Sequence, residues 1–95
     1  MNKLTKHAKG EDCSIRLPMV CNFNPETTVP CHMPGVRFGH GVARKTDFFA
    51  FGCSSCHDVV DGRAKAPHLT AEQIRISHLE GVLETQMKLK AKGLL

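Results

Sequence analysis

Two residues, Ser54 and Ser55, separate Cys53 from Cys56. Thiolates at that spacing can grip one tetrahedral Zn²⁺ from a single tight turn, and the pair is the sharpest local chemical signal in the chain. A closed structural site needs a second pair. Cys13 and Cys21 are the natural candidates, giving a four-cysteine site that ties the amino-terminal segment to the sequence around residue 53. Cys31 or a histidine could take the place of one of these; otherwise Cys31 reads as a small buried hydrophobe. His57 follows Cys56 directly, so the same residues also spell Cys-x-x-Cys-His, the attachment pattern for c-type haem, with Met33 or Met87 as axial partner. Haem is set aside: it is usually attached outside the bacterial cytoplasm, no export signal is visible, and Cys13 and Cys21 would have no task.

The elements that must position these residues are short. From Cys13 to Cys21, alternating Ile15, Leu17 and Met19, with Pro18 against a continuous helix, suggest a short strand or hairpin. Asn24-Pro25 marks a turn into an extended piece at Thr27–Val29 that Cys31-His32-Met33 should continue. Gly35, Gly39 and Gly41 make residues 34–46 a loop, in which Arg37, Arg44 and Lys45 are the best phosphate-contact candidates; the alternative for them is a solvated charged face. Phe48-Phe49-Ala50-Phe51 reads as a second strand ending in the Cys53–Cys56 knuckle, followed by one or two helical turns up to Gly62. Thr70-Ala71-Glu72-Gln73 is a capping-box pattern opening a helix over 70–93. At about 100° per residue, Ile76, Leu79, Val82, Leu83 and Met87 share one broad side of it, expected to pack on the rest. His78 is either a core-edge residue holding a hydrogen bond or an added ligand, and His40 and His68 fall in loops.

A chain of 95 residues, 41% apolar with five aromatics, all Phe, has too small a core to dispense comfortably with a staple. It is expected to form one domain, with residues 1–10 as a basic arm or a short marginal helix. No apolar run approaches a membrane span or a signal peptide, so a cytoplasmic location is expected, where cysteines more often bind metal than form disulfides. The net charge of +4 suits an anionic partner.

A histidine ending a strand, a glycine-containing loop, a polar residue before a second strand, then Cys-x-x-Cys-His opening a short helix resembles the ββα-metal, or HNH, nuclease core. Here the parts are Val29-Pro30-Cys31-His32, residues 34–46, Asp47, and Cys53-Ser54-Ser55-Cys56-His57. Cys31 stands where many HNH proteins carry an acidic ligand, and Asp47 where they carry Asn. More closely, Cys13-x7-Cys21, Asn24-Pro25-Glu26-Thr27, Cys53-Ser54-x-Cys56-His57-Asp58 and His78-Leu79-Glu80-Gly81 are similar to the YbcO family of small prophage-encoded proteins regarded as nucleases. That family is thought akin to the recombination-enhancement nuclease Ref, which cuts DNA in partnership with RecA filaments.

The resemblance implies a small α+β, zinc-stapled ββα-metal (HNH-like) domain over 1–95 with a C-terminal helix, and metal-dependent DNA endonuclease activity, with a RecA filament as a further partner. It implies His32 as the general base activating water, where the alternative is a half-buried strand histidine. It implies His57 as ligand to a catalytic Mg²⁺ or Mn²⁺. Asp61, one helical turn beyond His57, could share that ion or be a solvated helix end. A zinc module that binds DNA or a recombination protein without cutting is the rival from another class.

Overall fold

The computed structural model describes residues 5–32 and 49–94. Two short strands, β1 (Val29–His32) and β2 (Phe49–Gly52), pair antiparallel with Val29 opposite Gly52 and His32 opposite Phe49. Two helices follow, α1 (Ser54–Val60) and α2 (Ala71–Ala91). The order is a small α+β arrangement in which a two-stranded sheet leads directly into a short helix.

Pro30 sits inside β1 without weakening it. Its partner Phe51 turns its own backbone away from β1: Phe51 N–H donates to Thr85 Oγ1 (2.9 Å), and Phe51 C=O accepts from Ser14 N–H (2.6 Å). The pair therefore falls at a position that exchanges no ladder bonds, where proline's missing N–H costs nothing. The same two bonds cover the outer edge of β2, with α2 on one side and the amino-terminal segment on the other. Alternation along β2 then sorts its side chains. Phe49 and Phe51 stack edge-on (5.7 Å between ring centres) in a cluster with Ala8 and Leu89, while Ala50 faces Ile15, Leu17, Val59 and Val82 among the buried cysteines.

Glycines set how closely the layers approach. A Cβ on Gly81 would stand 3.1 Å from Ala50 Cβ, Ile15 Cγ1 and Ser14 O, so α2 lies almost directly on β2 and on the 13–15 backbone. At Gly52 a Cβ would come within 2.6 Å of Cys31 Sγ and 2.8 Å of Ile15 Cδ1, both buried. Alanine ordinarily strengthens a strand relative to glycine. Here Gly52→Ala is expected to destabilise by about 1–3 kcal/mol through overpacking, lowering the melting temperature by roughly 5–15 °C; an unchanged or higher melting point would show that Cys31 and Ile15 can yield.

The helix predicted at the carboxyl end begins at the expected capping box, with Gln73 N–H donating to Thr70 Oγ1 and Thr70 N–H to Gln73 Oε1. It ends at Lys92 and a left-handed Gly93, the conformation that lets the last carbonyls be satisfied. Three expectations need correction. The residues α2 buries are His78, Gly81, Val82, Thr85 and Leu89, whereas Ile76, Leu79, Leu83 and Met87 are exposed. Closeness to β2 selects small or hydrogen-bonding residues for the inner face, and the large apolar ones are displaced outward. Thr27 belongs to a 3₁₀ turn (Pro25–Thr27) capped by Asn24, and the strand starts only at Val29. Residues 13–21 form no strand or hairpin but a series of turns, with positive φ at Arg16 (48°) and Met19 (61°).

Candidate functional site

That turn series carries the first half of a thiolate cluster. The backbone N–H of Arg16 donates to Cys13 Sγ (3.4 Å), and three residues after Cys53 the N–H of Cys56 donates to Cys53 Sγ (3.4 Å). The two halves follow one local logic: a thiol accepts from the amide three positions on and closes the turn. Backbone groups of Phe23 and Leu17 likewise hydrogen-bond Cys21 and Cys56. The bidentate pair between Arg16 and Glu84 (2.8 and 2.9 Å) and the bond from His68 Nε2 to Pro18 O (2.8 Å) pin the segment to α2 and to the 61–70 connection. Asn22 fastens its far end to α1, donating to Ser54 Oγ and Ser55 Oγ while accepting from Asn24 N–H and Thr27 Oγ1.

The outcome is that Cys13, Cys21, Cys53 and Cys56 bring their Sγ atoms within 4.8 Å of one another, three of the residues buried. Cys21 and Cys53 sulfurs are 3.8 Å apart. A tetrahedral ion with metal–sulfur bonds of about 2.3 Å needs sulfurs about 3.8 Å apart, so the cluster fits zinc in donor type, number and spacing. Its electrostatics point the same way. A hydrogen bond from Cys56 holds the Cys13 thiol down at about 4, and the same bond drives the Cys56 thiol up; burial pushes Cys21 to about 11. The arrangement thus favours the thiolate form at Cys13, and a divalent cation would replace the neighbouring protons with charge. None of the five cysteines forms a disulfide, and Cys31 is fully buried outside the cluster, its thiol pushed up by desolvation, as expected of a small core residue.

A second group of polar side chains lies on the exposed end of α1. Asp61 caps the helix, and its Oδ2 lies 3.0 Å from His57 Nε2, so the i, i+4 pair meets. Gly62 then adopts a left-handed φ of 80°, and the amides of Arg63 and Ala64 both donate to Asp58 O, folding the chain back over the helix. Arg63 Nη2 ends 3.1 Å from His57 Nδ1 and 3.0 Å from Asp61 Oδ2. A guanidinium only donates. Nδ1 is therefore the acceptor, which leaves the N–H on Nε2, facing Asp61. Sequence reasoning missed Arg63. The signal was available: a glycine just past a helix end, followed by a basic residue, is a turn that returns a cation to the helix terminus.

His32, the last residue of β1, is half-buried with its ring 5.7 Å from that of Phe49. Behind it, His78 on α2 is buried and donates from Nε2 to Cys31 O (2.8 Å), which is the core-edge role among its two options. His78 thereby ties the end of β1 that carries His32 to α2, and α1 packs against the same strand. Arg37, Arg44 and Lys45, and with them Asp47, His40 and Met33, lie outside the described residues.

Burial holds the His78 pKa below its usual value, outweighing the carbonyl bond. Above about pH 6.5 its neutral form is common to the folded and unfolded chains; below that the unfolded chain takes up a proton that the folded one resists, and stability falls. The melting-temperature advantage of wild type over His78→Gln should therefore shrink between pH 7.5 and 5.5. A constant difference would show that His78 is not held neutral.

A family model described as "Putative nuclease YbcO" matches residues 2–94. The chain belongs to the YbcO family. Two curated relatives carry that same description, one from Escherichia coli strain K12 and one from Enterobacteria phage 82. Each is 34% identical to this YbcO-family chain over 96 residues, spanning all of it and 98% of the relative. A solved structure described as a putative bacteriophage protein from E. coli K-12 superposes with a TM-score of 0.74 at 32% identity, covering 93% of this chain and 96% of that one. Among the described residues no helix is long and apolar enough to cross a membrane.

Proposed function

We propose that this YbcO-family chain is a zinc-stapled, metal-dependent DNA endonuclease of HNH type, acting with a RecA filament in phage or prophage recombination. The observation that carries the reading is the pairing of His57 Nε2 and Asp61 Oδ2 at 3.0 Å, on the helix that the cysteine knuckle starts and that packs against the strand His32 ends. Nitrogen and oxygen at that separation suit adjacent positions around an ion whose bonds are about 2.1 Å, as for Mg²⁺; an ion there would shift the His57 proton from Nε2 to Nδ1 and turn Arg63 away from the ring. The order strand, strand, short helix, with a histidine closing the first strand and another in the helix, is the order an HNH core requires.

In this reading the four cysteines hold a structural Zn²⁺ and never touch substrate. His57 and Asp61 hold the catalytic Mg²⁺ or Mn²⁺, which when bound supplies positive charge to the scissile phosphate and the leaving oxygen. His32 takes the proton from the attacking water. Arg63 stands beside both proposed ligands, within reach of an anion arriving there, while Arg37, Arg44 and Lys45 contact flanking phosphates without reading bases. The opposing reading, a zinc module that binds DNA without cutting, draws on the closed set His57, Asp61 and Arg63, which already satisfy one another.

Purified protein incubated with single-stranded, duplex and branched DNA, with Mg²⁺ or Mn²⁺ and with or without RecA filaments, separates the two. Divalent-dependent strand cleavage is expected. Salt-sensitive binding without cleavage under every condition would establish the binding module instead.

A further inference from the structure

The large apolar residues that α2 turns outward form a stripe. Ile76 is 54% exposed, Leu79 44%, Leu83 65% and Met87 72%, so a substantial part of each apolar side chain meets water. At about 100° per residue all four fall within an arc of about 80°. Glu72 and Lys90 lie on the same line, one near each end of the stripe, 18 residues and therefore about 27 Å apart. The stripe thus reads acidic, then apolar, then basic. Among the described residues neither Glu72 nor Lys90 takes part in an intrachain ion pair, whereas Glu84 and Lys88 on the same helix and Lys92 at its cap all do. A shallow groove along the carboxyl half is lined by Leu83, Met87 and Ala91, with Glu80, Glu84 and Lys88 at its rim.

We propose that this face of α2 is a homodimer interface in which two copies of the chain pair their α2 helices antiparallel across a two-fold axis. The polarity of the stripe chooses the partner and its direction. A two-fold at the level of Gly81 lays Leu79 on Leu83 of the second copy, sets Ile76 beside Met87, and places Glu72 opposite Lys90 at both ends. The surface is self-complementary, as an isologous contact requires. A parallel pairing would set Glu72 against Glu72 and Lys90 against Lys90. Four apolar side chains per copy make an interface at the small end of stable associations, so the dimer should be weak, with a dissociation constant of roughly 10–100 µM. The face lies opposite the one that α2 packs on β2, so pairing leaves the thiolate cluster untouched.

Sedimentation of the full-length protein from about 5 to 500 µM tests this, with melting temperature and zinc content as controls on each variant's fold. Wild type should show a reversible monomer–dimer equilibrium. Leu83→Glu, at an exposed position, should weaken dimerisation at least tenfold with the melting temperature of the monomer unchanged. Glu72→Lys and Lys90→Glu should each weaken it by about 3- to 10-fold, since each converts both end pairs from attraction to repulsion. The double reversal, Glu72→Lys with Lys90→Glu, should restore wild-type affinity. Wild type remaining monomeric at 500 µM would overturn the proposal. So would single reversals without effect, or a double reversal that fails to recover, because only antiparallel pairing of two copies couples those positions.

Discussion

Cys53→Ser should give a chain that neither retains zinc nor unfolds cooperatively. Structural zinc sites contribute about 10 kcal/mol or more at neutral pH, comparable to or larger than the whole stability of about 5–15 kcal/mol that a domain of this size has. Cys53 also loses more than a ligand when replaced, since its sulfur caps α1 through Cys56 N–H. Cys13→Ser should behave alike, as its sulfur closes the turn at Arg16. The control is Cys31→Ala, which removes an equally buried thiol outside the cluster and should cost only about 1–3 kcal/mol with zinc unchanged. Elemental analysis and thermal melting of the three variants check this. Folded, zinc-free wild type, or Cys13→Ser melting like wild type, would remove the four-thiolate assignment.

The second large effect concerns cleavage. His32→Ala should lower the DNA cleavage rate by about 10²- to 10⁴-fold, the usual contribution of a positioned base, while zinc content, melting and DNA affinity stay close to wild type. His57→Ala should differ in kind. It removes a proposed ligand, so part of the loss should appear as a higher requirement for Mn²⁺, recoverable at excess metal. It also releases Arg63, which keeps Asp61 as its partner through the 3.0 Å bond. Rates measured against Mn²⁺ concentration for both variants distinguish base from ligand. His32→Ala cutting at the wild-type rate would leave a nuclease whose base is elsewhere.

What the residue pattern disclosed and what it hid follow from how each feature is encoded. The four cysteines, the Thr70 capping box and the strand at Phe49–Phe51 are written in residue types whose chemistry is local, and they are where they were expected. The path of residues 13–21 is not. Arg16 and Met19 adopt left-handed backbone that their side chains disfavour, and amide–sulfur bonds within the cluster accompany it. The α2 face misled for another reason. Periodicity weighs residues by size and hydrophobicity, but burial on this helix follows proximity to β2, which admits Gly81 and Thr85 and excludes Leu83. That error exposed the stripe from which the dimer is inferred. Asp61 was legible from its spacing to His57; Arg63, two residues on, required following the chain through the Gly62 turn.

The proposed function requires two metal sites with separate tasks, one to hold the fold and the other to cut DNA. The most direct test is nicking of supercoiled plasmid by protein dialysed against a mild chelator until only tightly held metal remains. The expected result is one zinc per chain, an unchanged melting curve and no nicking, with activity returning when Mg²⁺ or Mn²⁺ is added and not returning in His57→Ala at the same metal concentration. Nicking that persists without added divalent ion, or that returns equally in His57→Ala, would contradict it.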